Sequence, residues 1–208
     1  MALERLTDLE VRVTMPITDD DVEQLKIGDH VRIRGVIYTA RDAAHNRMIQ
    51  ALDAGQPLPI DIKGQLIYYV GPSPTRPGHV AGAVGPTTSM RMDPFTPRLL
   101  AEGLKACMGK GNRGPAVQEA LKQHHAVYLM AVGGAGAMLS QFVKKIEVVA
   151  YEDLGTESIK RLEVEDFPAV VMDDCRGRDL LMEGRKQWRD LSKLGSYKPS
   201  ERIVISAG

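Results

Sequence analysis

Between residues 71 and 93 the chain sets Gly71, Gly78, Gly82 and Gly85 among Pro72, Pro74, Pro77 and Pro86, a density that neither a helix interior nor a central strand tolerates. A long loop must therefore interrupt an otherwise regular chain, and its apolar neighbours predict that it is ordered. Regular elements frame it on both sides. Residues 66–70 form an apolar run that reads as a strand, and residues 97–104 and 115–125 carry helical signals on either side of Met108-Gly-Lys-Gly-Asn-Arg-Gly114. A strand at 126–132, a Gly-rich turn and a helix near 137–143 follow, with further strands expected at 147–150, 160–165 and 169–172.

Upstream, Thr18 offers an N-cap, and Asp19, Asp20 and Asp21 place acids in the first turn of a short helix ending near Gly28. Val31 and Ile33 alternate with Arg32 and Arg34 in a strand that runs to Thr39. A helix then opens at Arg41; Ala44, Met48 and Leu52 recur every four residues, and Gly55 with Pro57 closes it. Strands interleaved with helices in this way describe an α/β chain. Its 208 residues, 43% hydrophobic, suit a single domain over 1–208, with 180–208 expected as a less regular C-terminal extension.

Charge and composition exclude several functions. Twenty-seven Lys plus Arg balance 27 Asp plus Glu, so no overall basic field draws nucleic acid or an anionic membrane, and ten aromatics are few for base stacking. Residues 126–143 lack charge over nearly a membrane-spanning length, but Gly133, Gly134, Gly136, Ser140 and Gln141 break the apolar run. Glu4, Arg5, Asp8 and Glu10 are incompatible with a secretory leader, and a cytoplasmic location is expected. Cys107 and Cys175 stand far apart, which leaves no disulfide framework or zinc knuckle. His30, His45, His79, His124 and His125 lack metal-ligand spacing, so no metal is expected on this chain.

Three cations stand in Gly-framed segments: Arg41 at a strand-to-helix junction, Arg91 closing Gly85-Pro-Thr-Thr-Ser-Met-Arg-Met-Asp93, and Lys110 between Gly109 and Gly111. Such places suit carboxylate or phosphate, although a single cation in a turn is ordinarily solvent-facing decoration. The phosphate-loop motif fails because Gly111 follows Lys110, and Val132-Gly-Gly-Ala-Gly-Ala137 lacks dinucleotide-fingerprint spacing. A small phosphate- or nucleotide-binding domain remains an alternative from another class. Thr87, after Pro86, is a turn hydroxyl or a proton-transfer group, and the second role requires a carboxylate such as Asp93 or one from a partner chain to activate it.

Taken together, Thr39-Ala-Arg-Asp-Ala-Ala-His45, Gly71-Pro-Ser-Pro74, the Gly85 to Asp93 segment, Gly109-Lys-Gly-Asn-Arg113 and Glu163-Val-Glu-Asp-Phe-Pro168 resemble the beta subunit of class I, iron–sulfur fumarate hydratase and its tartrate dehydratase relatives. The resemblance runs in the family's order from about Thr18 to Asp179. It implies a swivelling β/β/α domain with a mixed sheet and flanking helices, joined to a larger alpha subunit that carries a [4Fe–4S] cluster. It further implies Arg41, Arg91 and Lys110 as ligands of a dicarboxylate, fumarate or malate, and Thr87 as the proton-transfer hydroxyl, working in a dimer of alpha–beta pairs. Two cysteines cannot supply the three thiolates of such a cluster, so the partner must hold it. Asn46 stands where the pattern has a basic residue, while Arg91-Met92-Asp93 and Gly111-Asn-Arg113 lean toward fumarate over tartrate.

Overall fold

The computed structural model describes residues 2–190. Its strands are β1 (Leu3–Arg5), β2 (Glu10–Met15), β3 (His30–Thr39), β4 (Leu66–Tyr68), β5 (Ala106–Gly109), β6 (Val127–Met130), β7 (Val143–Ala150) and β8 (Ile159–Asp173). The helices are α1 (Asp19–Gln24), α2 (Asp42–Asp53), α3 (Thr96–Ala101), α4 (Pro115–Gln123), α5 (Gly136–Leu139) and α6 (Leu180–Trp188). α1 starts where expected, because Thr18 and Asp21 form a reciprocal capping box.

All eight strands join one mixed sheet in the order β1-β2-β3-β4-β5-β6-β8-β7. β2 to β6 run parallel, and a helix fills each crossover between them, as parallel pairing demands. β8 runs antiparallel to β6 and β7 and pairs with β3 as well, so the contacts β3–β4–β5–β6–β8–β3 form a closed ring. This is the α/β arrangement with a mixed sheet and flanking helices that the sequence implied. The ends of β3, β4, β5 and β6 share one edge, where parallel α/β sheets place their ligands.

The pleat divides the core in two. Leu66, Tyr68, Met108 and Leu129 face a cluster that includes Ile33, Ile37 and Phe167, while Ile67, Tyr69, Cys107 and Tyr128 face a second cluster built on Ala44 and Met48 of α2, Leu99 and Leu100 of α3, and Val117 and Leu121 of α4. Each alternate residue of a central strand is thus buried, on whichever face it points, which explains the uninterrupted apolar runs.

The Gly/Pro-rich segment lacks regular structure until a 3-10 turn at Ser89–Met92. It is nevertheless tied down: Tyr68 Oη donates to Val84 O at 2.6 Å, Val84 N–H to Gly136 O at 3.0 Å, and Thr87 N–H to Tyr69 O at 2.7 Å. Elsewhere one strand had not been expected and two expectations needed revision. β1 carries too short a pattern to have been read, and the helix near 137–143 is shorter, α5 passing into a 3-10 turn at Ser140–Phe142. The strands read at 160–165 and 169–172 are one strand, β8, which continues through Asp166 by a bulge: Asp166 takes φ 52°, and the register against β3 shifts between Ile33 and Gly35. Arg34 grips the Asp166 carboxylate with two bonds of 2.8 and 2.9 Å, pinning the bulge.

Within the segment read as an extension, α6 begins at Leu180, capped by the Asp179 side chain on Met182 N–H at 2.9 Å; residues 191–208 lie outside the described part. No helix among the described residues is long and apolar enough to cross a membrane.

Phe167 meets Tyr68 edge-on at 5.5 Å between ring centres and Phe142 at 6.3 Å, and it is fully buried. Truncation by Phe167→Ala should therefore lower unfolding free energy by about 3–5 kcal/mol. Urea titration followed by circular dichroism measures it, and a change under about 1 kcal/mol would show that β8 does not anchor this core.

Candidate functional site

At the carboxyl end of β5 the chain must pass close beneath the loop. A Cβ on Gly109 would lie 2.1 Å from Ser89 Oγ, 2.9 Å from the Tyr69 ring and 3.0 Å from Thr87 O, so a residue without a side chain is required. That closeness lets Lys110 N–H donate to Thr87 O at 3.1 Å and Ser89 N–H donate to Lys110 O at 2.9 Å. Thr87 and Lys110 are consequently held in one backbone ladder. Lys110 is exposed, and among the described residues its ammonium makes no ion pair. Its stem passes Gly133 of the Gly-rich turn, where an added Cβ would stand 3.4 Å from Lys110 Cδ.

Arg41 occupies the N-cap of α2, at the end of β3. Its Nη2 lies 3.4 Å from Glu157 and 3.6 Å from Asp42, and its side chain runs along Gly71, where a Cβ would come within 3.2 Å of Nη1. Glu157 also accepts from Ala43 N–H at 3.0 Å, as a carboxylate at a helix N-terminus should. Arg91, at the end of the 3-10 turn, donates through Nε to Asp42 Oδ1 at 2.8 Å. Asp42 therefore gathers Arg41 and Arg91. The turn at Ser89–Met92 connects this pair to the Thr87–Lys110 ladder.

Several contributors were not legible beforehand. Asp42 and Glu157 carried no reading of their own, and His45 stood as one of several scattered histidines. His45 is buried; its ring stands edge-on to Tyr69 at 5.3 Å and beside Phe95 at 5.9 Å, with Nδ1 2.9 Å from Arg41 O. Burial pushes its pKa down to about 4, so the ring is neutral and its Nδ1–H donates to the carbonyl that also accepts the His45 N–H. A signal existed in the four-residue spacing from Arg41, one turn of helix. Asp93, considered as an activator of Thr87, has both oxygens engaged, by Arg113 Nε and Gly114 N–H at 2.7 Å each. Thr87 Oγ makes no hydrogen bond among the described residues.

A [4Fe–4S] cluster does not fit the side chains of this chain. Cys107 is wholly buried in β5, where burial pushes its thiol pKa up, and Cys175 lies beyond the end of β8. Among the described residues no three His, Cys, Asp or Glu side chains converge in a way that would hold a metal ion.

Comparison with known proteins places this geometry in context. A family model described as "Fumarase C-terminus" matches residues 2–184. The chain is 37% identical over 179 residues to "Fumarate hydratase class I, aerobic" of Salmonella typhimurium, covering 84% of this chain and 31% of that protein. It is 39% identical over 200 residues to "Putative fumarate hydratase class I" of Geobacillus stearothermophilus, covering 92% of this chain and 38% of the relative. The chain thus spans about a third of the length of those relatives. With "Putative L(+)-tartrate dehydratase subunit beta" of Methanocaldococcus jannaschii it shares 35% identity over 185 residues, 86% of this chain and 95% of the relative.

Two buried groups behind the site give opposite pH responses. Burial first, then Asp179, raises the pKa of Asp173 to about 7. Its stabilising contribution is complete below the ordinary carboxylate pKa and is lost as pH rises through 7. His45, with its pKa lowered to about 4, contributes stability above the ordinary imidazole value that is lost as pH falls through 4. Asp173→Asn removes one slope and leaves the other. Its unfolding free energy should rise more steeply than the wild type's from pH 4 to 7, by up to about 3 kcal/mol across the window. Urea unfolding at several pH values measures this, and parallel profiles for the two proteins would contradict it.

Proposed function

Since the chain belongs to the fumarase C-terminus family, we propose that it is the beta component of a two-component hydro-lyase that interconverts fumarate and (S)-malate. The reading is supported by two pairings joined by the Ser89–Met92 turn: Asp42 bonded to Arg91 and paired with Arg41, and Thr87 laddered to Lys110. Its match to nearly the whole of a relative named as a subunit beta supports a separate alpha partner. In this reading the partner carries the [4Fe–4S] cluster.

Proton removal next to a carboxylate produces a carbanion whose charge spreads into that carboxylate, and fixed cations around it lower the barrier. Arg41 and Arg91 suit this role because a guanidinium grips a carboxylate through two parallel bonds, whereas Lys110 supplies a compact charge on a flexible stem. Asp42 and Glu157 hold the guanidinium of Arg41 in place before substrate arrives, which reduces the ordering needed on binding. Thr87 moves the proton. A threonine hydroxyl is too weak a base alone, and with Asp93 committed, an aspartate from the alpha component completes the pair.

The relative named for tartrate supports a second substrate, L-tartrate, which differs in its hydroxyl groups. Contacts that separate the two lie partly in the alpha component.

Reconstitution with the alpha component under anaerobic conditions, followed by assay of malate formation, tests the reading, with L-tartrate as the competing substrate. Arg91→Leu and Lys110→Ala should each lower kcat/KM on the order of 10²–10³-fold. Thr87→Val should leave folding intact while slowing isotopic exchange of the substrate C–H proton to a comparable degree. Full turnover in either cation variant would remove the clamp, and unaltered exchange would remove Thr87.

A further inference from the structure

Beneath the ladder lies a cation that the proposed chemistry leaves unused. The Arg113 side chain is 0% exposed. Nε donates to Asp93 Oδ1 at 2.7 Å, Nη2 to Thr96 Oγ1 at 2.7 Å, and Nη1 to Tyr69 Oη and Cys107 Sγ, both at 3.2 Å. Its guanidinium carbon sits 5.3 Å from the Tyr69 ring centre and 5.1 Å from that of Tyr128. Four of the five N–H donors of a guanidinium are thereby used.

Each partner leads to a different part of the site. Tyr69 provides the carbonyl that receives Thr87 N–H. Asp93 stands two residues after Arg91 and also receives Gly114 N–H, which begins α4 after the Lys110 loop. Tyr128 donates to Gly111 O at 2.8 Å and meets Ser89 Oγ at 2.9 Å, spanning the same two segments from below.

We propose that Arg113 is a positioning residue, the buried fork that sets the spacing between the segment carrying Thr87 and Arg91 and the loop carrying Lys110. Stability alone is a poor reason for such a group, because a buried ion pair is commonly replaced by well-packed apolar residues without loss. What an apolar side chain lacks is direction. A planar fork bonded on four sides fixes four elements at once, whereas lysine presents a point charge and cannot reproduce that geometry.

This inference rests on the dicarboxylate reading, so Arg113→Lys and Lys110→Ala are measured together, each assembled with the alpha component and assayed well below its melting temperature. Arg113→Lys should lower kcat at saturating malate at least tenfold per folded complex and slow substrate proton exchange in parallel. A merely structural residue would lower the melting temperature and leave kcat and KM within twofold of the wild type, which would overturn the proposal. Should Arg113→Lys not fold, Asp93→Asn, which keeps the shape of the pair and removes its charge, carries the same expectation and the same refutation. If Lys110→Ala itself turns over normally, the dicarboxylate reading falls and takes this inference with it. A crippled Lys110→Ala beside an unimpaired Arg113→Lys overturns the positioning role alone.

Discussion

The backbone pairing of β8 with β3 is the contact on which the remaining architecture depends. It turns a row of parallel strands into a ring and holds the ends of β3, β4, β5 and β6 together. Arg41 leaves the first of these strands, the loop to Thr87 the second, Lys110 the third and the Gly133 turn the fourth. Without the closing strand these four exits would fan apart with the ordinary twist of a sheet. The bulge at Asp166 belongs to the same device, since it lets one long strand stay paired where the edge it follows bends.

Local chemistry was readable from the sequence wherever neighbours in the chain decide the outcome. The Thr18 cap, the four-residue period of α2 and the density of Gly and Pro before Thr87 each act within a few residues. β8 was divided in two because Asp166 and Pro168 both signal a break locally, and a remote guanidinium, Arg34, cancels that signal. The candidate site divides in the same way. Arg41, Thr87, Arg91 and Lys110 sit in recognisable motifs, while Asp42 as their organiser, Glu157 at the helix start and the burial of Arg113 arise from contacts between segments distant in the chain. An arginine after Gly-Asn resembles a solvated turn residue until the fold closes over it.

Electrostatic economy runs through this end of the molecule. Two guanidinium groups brought together repel, and the Asp42 carboxylate offsets that repulsion while standing in the first turn of α2, where a negative charge is also favoured by the helix dipole. Arg113 remains charged despite the burial that opposes it, because the Asp93 carboxylate pairs with it at 2.7 Å. His45 answers its surroundings in the other way, by giving up its proton. Neighbouring groups thus settle into different charge states, each dictated by whether a partner lies within reach.

Main-chain hydrogen bonds, rather than side-chain ones, join Thr87 and Ser89 to Lys110. Such bonds are indifferent to residue identity. Exchanging the side chain at Thr87 or Lys110 alters what this edge presents while the rail itself stays put, so evolution can retune these two positions without rebuilding the scaffold.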